Sequence, residues 1–167
     1  MKRLTGIVLT ALALAGCGRV AGIPSSMIGD TLAGAQLFEL KTPEGSVLSL
    51  PQTLAQKKVV LIDFWATWCT YCVEEMPDLI KLQEKYGAQG FQLIGVNAGE
   101  SAEQVAPFVK KMGLNYPIAL DEDMAVSQAY RLVGIPTSFL VAPDGKVLGQ
   151  YSGFSPKVVS DIEKYLG

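Results

Sequence analysis

Val59-Val60-Leu61-Ile62-Asp63-Phe64-Trp65-Ala66-Thr67-Trp68-Cys69-Thr70-Tyr71-Cys72 is the stretch that decides the fold. Its first seven residues are apolar apart from Asp63, with β-branched Val59, Val60 and Ile62 among them, the pattern of a strand buried on both faces. Its last five carry two cysteines three apart, where the strand should pass into the first turn of a helix. A thiol there meets backbone N–H groups that have no intrahelical partner and the positive end of the helix dipole, so its thiolate is favoured. A second thiol one turn away completes the equipment for disulfide exchange.

Other uses of a Cys-x-x-Cys pair fit poorly. A structural zinc site wants four Cys, His or acidic ligands and normally a second pair, whereas this chain has three cysteines and no histidine. Residue 73 is Val73, so a c-type haem attachment fails too. The absence of histidine also removes His-based triads and imidazole switches. With 14 basic against 16 acidic residues, no basic footprint points to nucleic acid. The apolar fraction of 49% and charged fraction of 18% in 167 residues describe one globular domain with a proper core.

Working outward, Lys58 to Trp65 reads as a strand, Tyr71 to Tyr86 as a helix kinked at Pro77, and Phe91 to Val96 as the next strand. Ser101-Ala102-Glu103-Gln104 is a capping-box start for a helix ending near Gly113. Pro117 to Leu120 reads as a short strand and Asp123 to Tyr130 as a short helix. Thr137 to Val141 and Lys146 to Tyr151 flank Pro143-Asp144-Gly145 as a hairpin, and Ser155 caps the last helix. Upstream, Leu37 to Leu40 and Val47 to Leu50 flank Pro43-Glu44-Gly45 as a further hairpin. The fold expected is α/β, a mixed sheet with helices on both faces and an added N-terminal β-hairpin.

Residues 1–16 read as a lipoprotein signal peptide: Lys2 and Arg3, then an apolar run from Leu4 to Ala15 that is too short to span a bilayer comfortably. Leu14-Ala15-Gly16-Cys17 resembles a bacterial lipobox, which implies lipidation at Cys17 and attachment to the lipid bilayer. Residues 17–35, small, polar and Gly-rich, read as a flexible tether, and residues 36–167 as the domain. Once Cys17 is acylated, Cys69 and Cys72 are the only thiols left to pair.

The blocks Asp63 to Cys72, Glu75-Met76-Pro77, Val96-Asn97-Ala98-Gly99-Glu100-Ser101 and Gly134-Ile135-Pro136-Thr137 resemble the thioredoxin-fold family. The closest likeness is to its membrane-tethered, extracytoplasmic reductases of the TlpA/ResA type. That resemblance implies a thioredoxin-like fold and a thiol:disulfide oxidoreductase with no cofactor or metal beyond its Cys69–Cys72 disulfide. It also implies protein disulfides as substrates, including apocytochrome c, and a membrane thiol-transfer donor of the CcdA/DsbD kind. The protein would face the periplasm as a monomer. It further implies a cis peptide at Pro136, which would leave the backbone of Ile135 free to pair with an extended substrate.

Within this frame Cys69, nearest the helix start and more exposed, should attack, and Cys72, shielded one turn in, should resolve the mixed disulfide. Glu75, three residues beyond Cys72 on the same helix face, could exchange a proton with the buried thiol, and matches the family's acidic residue there. Asp63, inside an apolar strand, should titrate high unless paired, and matches the buried aspartate of thioredoxin proper. The thioredoxin partner lysine has no counterpart, since Phe91 to Val96 carries no cation. Trp68, Thr70 and Tyr71 should face substrate, with Trp68 part of a flat apolar docking surface. Phe64, Trp65 and Met76 read as core. Tyr71 replaces the proline frequently found before the second cysteine.

Acids near the dithiol and no cation between the cysteines argue for a reductant. Other readings are an oxidant or isomerase of secreted proteins, a peroxidase of the same fold, and a non-catalytic docking lipoprotein. The peroxidase segment Pro-x-x-x-Thr/Ser-x-x-Cys is not matched by Trp65-Ala66-Thr67-Trp68-Cys69.

Overall fold

The computed structural model describes residues 31, 32 and 34–167. The expected signal segment, Cys17 and most of the expected tether lie outside the described residues.

The strands are β1 (Thr31–Leu32), β2 (Ala35–Gln36), β3 (Glu39–Lys41), β4 (Val47–Ser49), β5 (Val59–Trp65), β6 (Phe91–Ala98), β7 (Ile118–Asp121), β8 (Thr137–Val141) and β9 (Val147–Tyr151). The helices are α1 (Leu50–Leu54), α2 (Thr70–Tyr86), α3 (Ala102–Met112), α4 (Ala125–Ala129) and α5 (Pro156–Leu166). Seven strands form one sheet in the order β4-β3-β7-β6-β5-β8-β9, while β1 and β2 pair separately.

β5 lies inside the sheet. It runs parallel to β6 from Val59↔Phe91 to Trp65↔Asn97 and antiparallel to β8 from Val60↔Val141 to Phe64↔Thr137. Every residue of β5 is buried. The two-residue period of a strand sorts its side chains. Val59, Leu61 and Trp65 pack with Met76, Leu79, Val105, Val158 and Ile162 under α2, α3 and α5. Val60, Ile62 and Phe64 pack with Leu50, Leu54, Val126 and Tyr130 against α1 and α4. Asp63 has the parity of Leu61 and Trp65, so the strand delivers its carboxyl to the α2 face.

The mixed sheet expected from the pattern is present, and the capping box at Ser101 and the left-handed Gly113 after α3 bound that helix as anticipated. α2 runs unbroken through Pro77. The N-terminal hairpin, β3 and β4, joins the sheet through Lys41↔Leu120 on β7.

Two boundaries differ from the sequence reading. Leu50 opens α1 and does not end a strand: Ser49 is its N-cap and accepts the Gln52 N–H at 3.5 Å, with Pro51 in the first turn, where a missing N–H costs nothing. The domain also begins before Gln36. β1 pairs with β2, the Ala35 N–H donates to the Gly145 carbonyl at 3.1 Å, and Ala35 is fully buried. Small residues that read as tether composition are used here for close packing: Gly34, at φ +122°, bridges to Lys146 on the β8–β9 turn.

Candidate functional site

The site grows from the end of β5. Beyond Trp65 the chain turns, with the Cys69 N–H donating to the Ala66 carbonyl at 3.2 Å, and Cys69 becomes the N-cap of α2. Its Sγ accepts the Cys72 N–H at 3.2 Å. The first turn of α2 therefore offers Cys69 the unpaired donors that stabilise a thiolate. Cys69 and Cys72 form a disulfide, with Cα atoms 5.3 Å apart. Cys69 is 6% exposed and Cys72 1%. The expected order of accessibility is present, but Cys69 is more covered than the sequence suggested.

Behind the disulfide lie two acids. Asp63 is 4% exposed and Glu75 9%, so Glu75 is not a solvated helix glutamate. Burial, with the charge of Glu75 added, drives the Asp63 carboxyl well above the usual aspartate range. Burial pushes Glu75 up to about 7, against the Phe154 N–H, which its Oε2 accepts at 2.7 Å. Among the described residues no cation pairs with Asp63. Burial, with the charges of the same two acids added, raises the Tyr116 hydroxyl, and the Tyr116 ring packs at Gly95, the partner of Asp63 in the β5–β6 ladder. Two carboxyls both held above their ordinary range can take up or release a proton beside the less exposed sulfur.

In front of the disulfide the surface is apolar. Trp68 is 70% and Tyr71 73% exposed, and Thr70 is exposed between them. The Ile135–Pro136 peptide is cis. The β5–β8 ladder ends at Phe64↔Thr137, so Ile135 and Pro136 lie just past it, beside the turn that carries Cys69. A groove of about 530 Å³ is lined by Tyr71, Ile135, Pro136, Gln150 and Gly153. A second, of about 390 Å³, is lined by Trp68, Gly99, Met124, Leu132 and Ile135. They share the Val133-Gly134-Ile135 ridge, on which Val133 is fully exposed. The structure thus gathers Cys69, Cys72, Asp63, Glu75, Trp68, Thr70, Tyr71, Ile135 and Pro136 at one end of the sheet.

Sequence reasoning quoted Glu100 only within the Val96–Ser101 block and gave it no role, and it passed over Tyr116 and Val133. Glu100 is buried and accepts hydrogen bonds from Thr67 and Asn97. Its signal was a charged residue just past an apolar strand, indistinguishable from a solvated loop acid without the fold. Among the described residues no group of three or more Cys, Asp or Glu converges as a metal site.

A family model described as AhpC/TSA family matches residues 32–150. The chain is 40% identical over 116 residues to the thiol-disulfide oxidoreductase ResA of Bacillus subtilis, covering 70% of this chain and 64% of that protein. A ResA from Geobacillus kaustophilus is 38% identical over 65% of this chain and 62% of its own length. The match thus spans less than two thirds of these relatives. A candidate thiol:disulfide interchange protein DsbE from Chlorobium tepidum superposes with TM-score 0.73 at 34% identity, covering 80% of this chain and 95% of that one. A thioredoxin family thiol:disulfide interchange protein from the same species gives TM-score 0.69 at 29% identity, covering 80% and 95%. The architecture is thioredoxin-like.

Proposed function

The chain belongs to the AhpC/TSA family, and from that premise we propose that it is a thiol:disulfide oxidoreductase that reduces protein disulfides through Cys69 and Cys72. One observation carries this reading: Cys69 caps α2 and is bonded to Cys72 within its first turn, with buried carboxyls at Asp63 and Glu75 on the strand and helix that carry the pair and the exposed Trp68 and Tyr71 flanking Cys69 in the chain. In the reduced protein, Cys69 thiolate attacks a substrate disulfide and forms a mixed disulfide, and one substrate sulfur leaves as a thiol once protonated. Cys72, losing its proton to the Asp63–Glu75 pair, attacks Cys69 and releases the second substrate thiol. The protein is left as the disulfide, two electrons having passed to substrate.

The direction follows from the charge. No Lys or Arg lies between Val59 and Ile80 to favour thiolate at the dithiol, and the acids oppose it. Strong oxidants owe their potential to a stabilised reduced form, and here the helix N-terminus acts on Cys69 without an added cation from this segment and against the acids. The ResA relatives, named as thiol-disulfide oxidoreductases, support this reading, as does the DsbE-like structural neighbour.

The finer features belong to the same proposal. The protein acts on the extracytoplasmic side, held to a bacterial membrane by lipid on Cys17, with residues 1–16 removed. It receives electrons from a membrane thiol-transfer protein of the CcdA/DsbD kind, takes extended Cys-bearing segments such as apocytochrome c along Ile135 and Pro136, and needs no cofactor besides its own disulfide. Among the described residues no helix is long and apolar enough to cross a membrane.

A redox titration against glutathione and dithiothreitol tests the direction. A midpoint well below about −120 mV is expected, and one close to that DsbA-type value contradicts it. Consumption of hydrogen peroxide faster than reduction of a protein disulfide would favour the peroxidase reading instead.

A further inference from the structure

Glu100 stands outside the mechanism above, yet its carboxylate is one of the most heavily bonded groups near the dithiol. Its Oε2 accepts the Thr67 N–H at 2.7 Å and the Asn97 Nδ2 at 2.8 Å, and its Oε1 accepts the Thr67 hydroxyl at 2.5 Å. Thr67 lies 33 residues upstream, inside the turn closed by the Cys69 N–H to Ala66 carbonyl bond. Glu100 therefore crosses from the end of β6 to grip the segment that presents Trp68 and Cys69. Gly99, next to it, lines the same groove as Trp68.

The cluster is tuned to a charge. Burial alone would raise the Glu100 carboxyl, but the bonds from Thr67 and Asn97 outweigh it and hold the group below its ordinary value. To supply its part, Asn97 leaves its Oδ1 buried with no donor among the described residues, a costly arrangement. No more than about 7 Å of backbone separates Thr67 from Cys69. The other charged groups around the dithiol are Asp63 from β5 and Glu75 from α2. Glu74 on α2 is exposed, as is Arg131 on the segment leading to the Val133 ridge.

We propose that Glu100 is a positioning residue for Cys69: its carboxylate clamps the Thr67 turn and adds the negative charge against which Cys69 loses its proton. The inference rests on Cys69 being the attacking thiol.

The test uses the reduced full-length protein. Alkylation of Cys69 by iodoacetamide is followed against pH by mass spectrometry in wild type and Glu100→Gln, alongside thermal unfolding. Glu100→Gln should shift the alkylation midpoint to lower pH, raising the rate well below that midpoint by about threefold or more. A profile superimposable on wild type, or shifted upward, overturns the proposal whatever happens to the melting temperature. Should Glu100→Gln not fold, Thr67→Val and Thr67→Ser decide. Thr67→Val, which loses the hydroxyl bond, should exchange with glutathione disulfide at least about threefold more slowly, and Thr67→Ser at the wild-type rate. Equal rates in all three overturn it. A wild-type Cys69 inert at every pH would contradict the attacking-thiol reading itself, which keeps the two failures distinct.

Discussion

Glu75 Oε2 accepts the Phe154 backbone N–H at 2.7 Å across 79 residues of chain. That single bond ties the helix behind the disulfide to the loop after β9, whose Gly153 forms part of the groove wall. The same carboxyl shares its buried face with Asp63, so its protonation bears on stability as well as chemistry.

Stability should fall as pH rises through the neutral range. Folded Glu75 holds its proton up to about 7, against 4.5 ordinarily. Between those values the native state binds more protons than the unfolded chain, so each rise in pH favours unfolding. Asp63, also raised, acts in the same direction. Urea denaturation of the disulfide form at pH 5, 6, 7 and 8 should show a decline toward pH 7, with Glu75 contributing no more than about 1.4 kcal/mol per pH unit and its share levelling off above 7. Glu75→Gln, which still accepts the Phe154 N–H, should flatten the curve. A wild-type profile that is level over this range would contradict the assignment.

The two carboxyls should back each other up in the second half of the reaction. Asp63→Asn or Glu75→Gln alone leaves one acid near Cys72. The double variant leaves none and should slow release of the mixed disulfide by about 10²-fold or more, the usual worth of a positioned general base. Stopped-flow measurement of the two steps checks this. The attack by Cys69 should persist while the Cys69-linked intermediate accumulates, and loss of both steps together would argue for a folding defect.

Trp68 and Tyr71 should serve recognition and leave stability alone. Both are largely exposed, so truncation to Ala should change unfolding free energy by no more than about 0.5 kcal/mol. Each should weaken reduction of a Cys-bearing peptide disulfide several-fold through KM, with glutathione disulfide little affected. Equal losses on both substrates would remove these side chains from the docking face.

Gly95 should resist even one added methyl. It sits opposite Asp63 in the β5–β6 ladder. A Cβ there would lie 2.8 Å from Ile118 Cδ1, 2.9 Å from Trp65 Nε1 and 3.2 Å from Tyr116 Cε2. All three neighbours are buried. Gly95→Ala should cost about 1–3 kcal/mol, read from chemical denaturation, and a neutral result would show that the wall around Asp63 is loose.

Most of the architecture could be read from periodicity and turn chemistry. The apolar run of β5, broken only by Asp63, the Ser101 capping box and the Pro143-Asp144-Gly145 turn each act within a few residues, so the chain announces them locally. α1 was missed because five residues give too short a pattern, although Ser49 and Pro51 were its visible cap signals. The early start at Ala35 was missed because a small residue in a close contact has the same composition as a linker. At the site, Asp63 was legible as a charge in an apolar strand. Glu100 was not, because its meaning lies in Thr67, 33 residues away, and sequence separation hides such a contact.

The measurement that bears most directly on the whole account is alkylation of the fully reduced, folded protein under native conditions, with the modified cysteine located by mass spectrometry. Cys69, at the N-terminus of α2, should react first and well ahead of Cys72. Prior labelling of Cys72, or no labelling of either until the protein unfolds, would contradict the account.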